Sequence, residues 1–285
     1  MPTLTTPTSA LAWLDEIRTT APTDAVPDAL ILQTSLVSGT VEGDAAMVRV
    51  AYVDDDDAAF VPEGEAIAEA DPDLAEATVV TGKIAKLIRV SREQFYSSDA
   101  ARLLADSVSR AVSQAANRAY VAQPAPTAPA LTPPAGLIHV PGILGSTTPI
   151  LVDGNLDALI DLEALIGENN GTVTHLVVSP SAWSRLRKIK DQEGAARNLL
   201  GAGTDDAARF LLGIPVVVSS AVPAGTGLML DKQAIVSAVG PVMVAQSSDA
   251  YFQYDAIGLR CTWRFGAVVV RPERVGVFSV TDPTT

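Results

Sequence analysis

The chain reads as a mixed α+β protein. Three observations predict this class. Two segments with strand-like alternation, 47–53 (MVRVAYV) and 78–90 (TVVTGKIAKLIRV), flank an acidic connection. One long run at helical spacing follows them, and beyond a proline-rich linker short strands alternate with helices before a strand-rich end.

The first forty-odd residues, rich in Thr, Pro and Ala, read as a poorly anchored arm. Within it SALAWLDEIRT (9–19) is a short amphipathic helix by spacing, with Ser9 as cap and Leu11, Leu14 and Ile17 on one face. The two alternating segments and the stretch VDDDDAAFVPEGEAIAEADPDLAE (53–76) between them describe a protruding hairpin. Ser91 and Gln94 form a capping-box pattern. After them Phe95, Leu103, Leu104, Val108, Val112, Ala115 and Ala119 recur at helical spacing, until QPAPTAPALTPPAG forbids continuation. Leu104 and Val108 are expected to be deeply buried.

Past the linker, 155–168 is helical and ends near Asn169, Asn170 and Gly171, and VTHLVVS is a buried strand. Ser179 caps PSAWSRLRKIKD, Pro180 occupies its first turn, and Trp183 and Leu186 lie on its packing face. FLLGIPVVVSS reads as the end of a short helix at Gly213 leading into a strand. GLMLDKQAIVSAV reads as two strands around a turn at Asp231 and Lys232. In AIGLRCTWRFG, Ile257, Leu259, Cys261, Trp263 and Phe265 point one way, and Arg260, Thr262 and Arg264 the other. Pro272 and Glu273 turn the chain into its closing segment.

Composition narrows the function. A net charge of −13 over 285 residues argues against a nucleic-acid reader and against adhesion to an anionic membrane. The single cysteine excludes an internal disulfide and a multi-cysteine metal site. No apolar run approaches the roughly 20 residues that span a bilayer. The N-terminus has neither the basic start nor the apolar core of a signal peptide, so a soluble, unexported chain is expected. Asp54, Asp55, Asp56 and Asp57 are consecutive, whereas a calcium loop needs acids at alternate positions with a mid-loop Gly, so a solvated loop face is the better reading. His139 and His175 lack any zinc-binding spacing, and Cys261 sits among core residues. AGTGLML lacks the lysine and spacing of a phosphate-binding loop, and no GxSxG elbow occurs. No catalytic residue, cofactor or metal is therefore expected.

Taken in order, several segments resemble the major capsid proteins of tailed bacteriophages with the Hong Kong 97-type fold. FVPEGEAIAEADPDLAEATVVTGKIAKLIRVSREQF looks like the extended loop and the entry to the spine helix. PAGLIHVPGI is similar to the loop after that helix, and VVSPSAWSRLRKIKD and LLGIPVVVSSAVP resemble axial-domain elements. DAIGLRCTWRFGAVVVRPERV resembles the closing strands, with Arg264 and Phe265 at a common Arg-aromatic pair. The likeness spans roughly residues 40–280.

The resemblance implies an N-terminal arm (1–45), an extended β-hairpin loop (46–88) and a peripheral domain (89–145 and 239–266) with a sheet and a spine helix over 91–122. An axial α/β domain (146–238 and 267–285) completes it. It implies a structural subunit that self-assembles into hexamers and pentamers of an icosahedral head around double-stranded DNA. The loop would lie over a neighbouring subunit, the shell would form in the host cytoplasm, and DNA would be held without sequence-specific binding. Asp54–Asp57, Glu63 and Glu65 would meet cations of a neighbour, with Arg187, Lys188, Arg260 and Arg264 as candidates. No charged scaffolding segment precedes the arm, so assembly would use a separate scaffolding protein or none; portal and decoration proteins are further expected partners. No lysine precedes Lys83, which speaks against covalent cross-linking through the loop. An encapsulin-type shell and a soluble α/β enzyme are the competing readings, and microscopy of assembled particles separates them.

Overall fold

Two six-stranded sheets pack against opposite sides of one apolar core, with a two-stranded hairpin standing on the first. The structure, a computed structural model, describes residues 17–53, 74–95, 100–189 and 209–282.

The first sheet is built on β13 (Ala256–Val269). β11 (Ile235–Val239) and β12 (Val242–Tyr251) lie end to end along one side of it, both antiparallel. β5 (Gly82–Ser91) runs antiparallel along the other side, from Ser91 opposite Ala256 to Gly82 opposite Phe265. β1 (Ile17–Thr20) flanks β12, and β2 (Leu36–Thr40) flanks β11 in parallel. β3 (Met47–Val53) and β4 (Leu74–Val80) form the hairpin.

The second sheet has the order β6-β14-β10-β7-β9-β8: Ile150–Val152, Val275–Val280, Thr226–Leu230, His175–Val178, Ile214–Val218 and Phe210–Leu211. Six helices are described: α1 (Pro22–Ala25), α2 (Leu30–Thr34), α3 (Arg92–Phe95), α4 (Ala100–Ala122), α5 (Asp157–Glu168) and α6 (Pro180–Lys188).

Alternation along the strands decides what packs where. Cys261, Trp263 and Phe265 point inward from β13, and Val177, Leu228, Leu230, Val275 and Val277 point inward from the second sheet. Between them lie Val112, Ala116 and Tyr120 of α4 and Leu30 and Ile31 of α2. Trp263 is fully buried, packs against Phe265 with ring centroids 4.6 Å apart and planes tilted by 42°, and donates its indole N–H to the Gly240 carbonyl at 2.9 Å. The opposite face of the second sheet, with Leu176, Met229 and Phe278, is covered by Leu159, Leu162 and Ile166 of α5 and Ala182 and Leu186 of α6. Ser179 caps α6, its Oγ accepting from the Ala182 N–H at 3.2 Å, with Pro180 in the first turn.

Several expectations need correction. The helix over 9–19 lies mostly outside the described residues, and its end, Ile17–Thr20, is strand. From Ile17 onward the arm is anchored: Leu30 and Ile31 are core residues, and the Asn117 side chain of α4 accepts from the Leu30 N–H at 2.7 Å. Ser91 is the last residue of β5 and stands directly before α3, and residues 96–99 between α3 and α4 lie outside the described residues. Among the described side chains of α4 the buried ones are Val108, Val112, Ala116, Tyr120 and Val121, and Leu104 is only half-buried. Residues 210–218 are a tight β8–β9 hairpin, because Leu212 (φ 53) and Gly213 (φ 78) both adopt the positive φ of a two-residue turn. Thr262, expected on the open face of β13, is buried, with Met243 of β12 directly across from it. The strand 235–239, split between the two expected domains, lies wholly in the first sheet, and the passage between sheets occurs at Asp231–Ala234.

Candidate assembly interface

The hairpin is held at its root by backbone approach. Gly266 on β13 leaves space for the Val80 carbonyl, where a Cβ would collide, and Gly39 on β2 sits against Ala238 and Val50. Val50 and Val79 of the hairpin join Val41, Val236 and Ala238 in a small separate core. The stem is therefore part of its own subunit's fold up to this point.

Charge reinforces the root. Arg264 and Lys83 are directly opposite on β13 and β5, an unfavourable pairing of like charges. Asp44 resolves it, its Oδ1 standing 3.4 Å from Arg264 Nε and 3.6 Å from Lys83 Nζ. Arg264 also donates Nη1 to Thr81 Oγ1 at 3.1 Å and to the Ala45 carbonyl at 3.4 Å. Thr81 in turn donates its hydroxyl to the Ala45 carbonyl at 2.6 Å. These contacts fasten residues 44–45 and 81–83, the two feet of the hairpin, to β13. The cluster escaped the sequence reading because Asp44 lies far along the chain from Thr81 and Lys83, and all three lie far from Arg264.

The other expected interface residues divide into distinct groups. Asp54, Asp55, Asp56, Asp57, Glu63 and Glu65 lie outside the described residues. Arg260 is exposed on the outward face of β13, opposite Leu87, and makes no ion pair among the described residues. Arg89 shares that face and is held by aromatic rings, its guanidinium 4.8 Å from Tyr254 and 5.8 Å from Tyr251. On α6, Lys188 and Arg185 both reach Asp282, at 3.8 and 3.2 Å, while Arg187 is exposed and unpaired among the described residues. Of the four candidate cations, Arg264 and Lys188 are thus engaged within their own chain, and Arg187 and Arg260 are open.

The titratable groups in the interior look structural. Burial, with a smaller effect of nearby Lys232, holds the His175 imidazole below its usual pKa, and its Nδ1 lies 3.1 Å from Thr174 Oγ1. Burial raises the Cys261 thiol. It also raises the Tyr120 phenol, against the opposing effect of its side-chain hydrogen bonding with Thr34 and Ser35. Among the described residues no three His, Cys, Asp or Glu side chains converge on a metal site, and no helix is long and apolar enough to cross a membrane.

Comparison with known proteins agrees with this architecture. Residues 31–280 match the phage capsid family. No curated protein sequence matches the chain. Among solved structures, the capsid of an empty GTA particle computed with C5 symmetry superposes with a TM-score of 0.62 at 19% identity, covering 89% of this chain and 90% of that one. A Gordonia phage Cozz structure gives 0.66 at 15% identity over 89% and 86% of the two chains. A Mycobacterium phage Cain structure gives 0.61 at 15% identity over the full length of both. At these identities the likeness shows the fold.

Proposed function

This chain belongs to the phage capsid family, and from that membership we propose that it builds an icosahedral head as hexamers and pentamers enclosing double-stranded DNA. Its role as a structural capsid subunit follows from the family; the arrangement of copies is our reading. The observation that supports it is the division of cations. Arg264, Lys83, Arg185 and Lys188 are matched by acids of their own chain, whereas Arg187 and Arg260 are exposed and unmatched among the described residues. Asp54–Asp57, Glu63 and Glu65 supply the opposite charge from the connection of a hairpin whose stem is rooted in its own subunit. Acids of one copy meeting cations of the next form a head-to-tail contact, which closes into rings and shells.

In this reading the connection between β3 and β4 is the extended loop. The first sheet with α4 is the peripheral unit, and the second sheet with α5 and α6 is the axial unit. Assembly in this reading uses a separate scaffolding protein or none, a portal and decoration proteins are the further partners to test, and the shell forms in the host cytoplasm. The genome is contained by geometry, because a chain of net charge −13 gains little from counterion release. Negative-stain microscopy of the purified chain tests the proposal. Hollow shells or capsomer rings support it, and compact monomers at every concentration overturn it.

A further inference from the structure

The most exposed large apolar side chain among the described residues is Phe252, at 79%, and it sits on a tip built to hold it still. The turn between β12 and β13 is a short 3-10 segment, Phe252–Tyr254, closed by Asp255 in the left-handed conformation (φ 45, ψ 49). The end of β5 braces it. The Arg92 N–H donates to the Asp255 carbonyl at 3.1 Å, Arg92 Nε lies 2.9 Å from the Asp255 carboxylate, and Arg89 is flanked by Tyr251 and Tyr254. Tyr251 lies over Gly258, where a Cβ would come within 3.1 Å of its ring. None of these contacts buries Phe252. An aromatic ring fixed in water beside further aromatics and an arginine has the composition and preorganisation of an interface anchor.

The same ladder carries an apolar hollow at its other end. A recess of about 190 Å³ opens where β5 begins, lined by Ile84, Leu137, Val140, Phe265 and Val269, with Ala135 on its wall. Leu131, in the same proline-rich segment that contributes Pro133 and Pro134 to the lining, is 57% exposed. The pairing places the tip at Ser91–Ala256 and the recess at Gly82–Phe265, the two ends of one ten-residue ladder. At about 3.4 Å per residue they stand roughly 30 Å apart on a rigid sheet. A knob and a hollow at opposite ends of one rigid element cannot meet within one molecule, but they can meet between copies, each subunit giving its knob and receiving another.

We propose that Phe252 of one subunit seats in this recess on a second copy of the chain, an inference that rests on the capsid reading above. The full-length chain tests it under conditions where the wild type forms shells. Phe252→Ala should abolish or strongly reduce shells while leaving the melting temperature unchanged, since the side chain is exposed. A Phe252→Cys, Ala135→Cys double variant treated with a short bismaleimide should give linked subunits on a denaturing gel, with neither single variant doing so. The buried Cys261, 3% exposed, does not compete. Shells from Phe252→Ala at wild-type yield, or no linkage in the double variant, overturn the inference and leave the capsid reading standing. Linkage in the Phe252→Cys single variant places tip against tip and overturns it as well. A wild type that stays a compact monomer at every concentration overturns both.

Discussion

Gly266 shows how one missing side chain positions a whole hairpin. Any Cβ at this position meets the Val80 carbonyl, a backbone atom that cannot rotate away. Gly266→Ala is expected to destabilise the chain by more than about 3 kcal/mol, the range of substitutions that force backbone to move. Gly167 in α5 has open space around it, so Gly167→Ala should stabilise by about 0.5–1 kcal/mol through helix propensity. Urea unfolding of the two variants should therefore shift in opposite directions. His175 provides a pH test. Its folded pKa lies below the ordinary 6.5, so the unfolded chain binds the extra proton. Its contribution to stability is complete above about pH 6.5 and declines as pH falls from there towards the lowered folded value. Replacing His175 with Asn should flatten the stability profile in that window, and an unchanged slope would reject the assignment.

At the scale of elements, α6 and α4 were legible to different degrees. The start of α6 is a local signal, Ser179 followed by Pro180, and the cap forms as read. Ser179 Oγ also accepts from the Gly225 N–H at 3.1 Å, tying the helix to the loop before β10. Ser179→Ala should therefore lie near the upper end of the cap range, about 2 kcal/mol by thermal unfolding. For α4 the helical period was visible, but the buried stripe lies one residue off the expected one in the second half: Ala116 and Tyr120 face the core, and Ala115 and Ala119 are half-buried. Small residues on both sides of the stripe gave the sequence no contrast, and the packing of α2 against Asn117 and Tyr120 decides the face. Leu104→Ala should thus cost less than about 2 kcal/mol, below the range for a fully buried leucine. A larger loss would show that Leu104 is core after all.

For the whole molecule the predictions concern assembly. Replacing Asp54–Asp57 with Asn should weaken assembly and leave the unfolding transition of the subunit unchanged. Each exposed pair contributes only about 0.2–1 kcal/mol, so the effect arises from repetition around a shell. High salt should act in the same direction by screening. Equal particle yield from wild type and mutant at low and high salt would remove the ionic contact from the proposal. Containment of DNA without affinity has its own test. A gel-shift titration of unassembled subunits at physiological salt should show no micromolar binding, although Arg110 and Arg118 are exposed on α4. Binding that weakens steeply with salt would instead indicate a basic lining.

The sequence by itself determined the mixed class, the first hairpin strand, α5, α6 with its cap, and the inward face of β13, because alternation, helical period and caps are local patterns set by backbone geometry. It misplaced the second hairpin strand: expected over 78–90, that strand is β4 (Leu74–Val80), and Gly82–Ser91 pairs with β13 instead. The ordered motifs also pointed to the family. Only the tertiary structure decided that 17–41 is anchored, that 210–218 is a hairpin, and that Arg264 holds its own subunit's hairpin root. Each of these depends on residues distant in the chain: Leu30 needs Asn117, and Arg264 needs Asp44 and Thr81. A cation in a strand looks the same in sequence whether a neighbour or its own chain neutralises it. The choice is made by which backbones approach closely enough: here Gly266 brings Val80 of the hairpin onto β13, and Gly39 lets β2 pack against Val50 and Ala238.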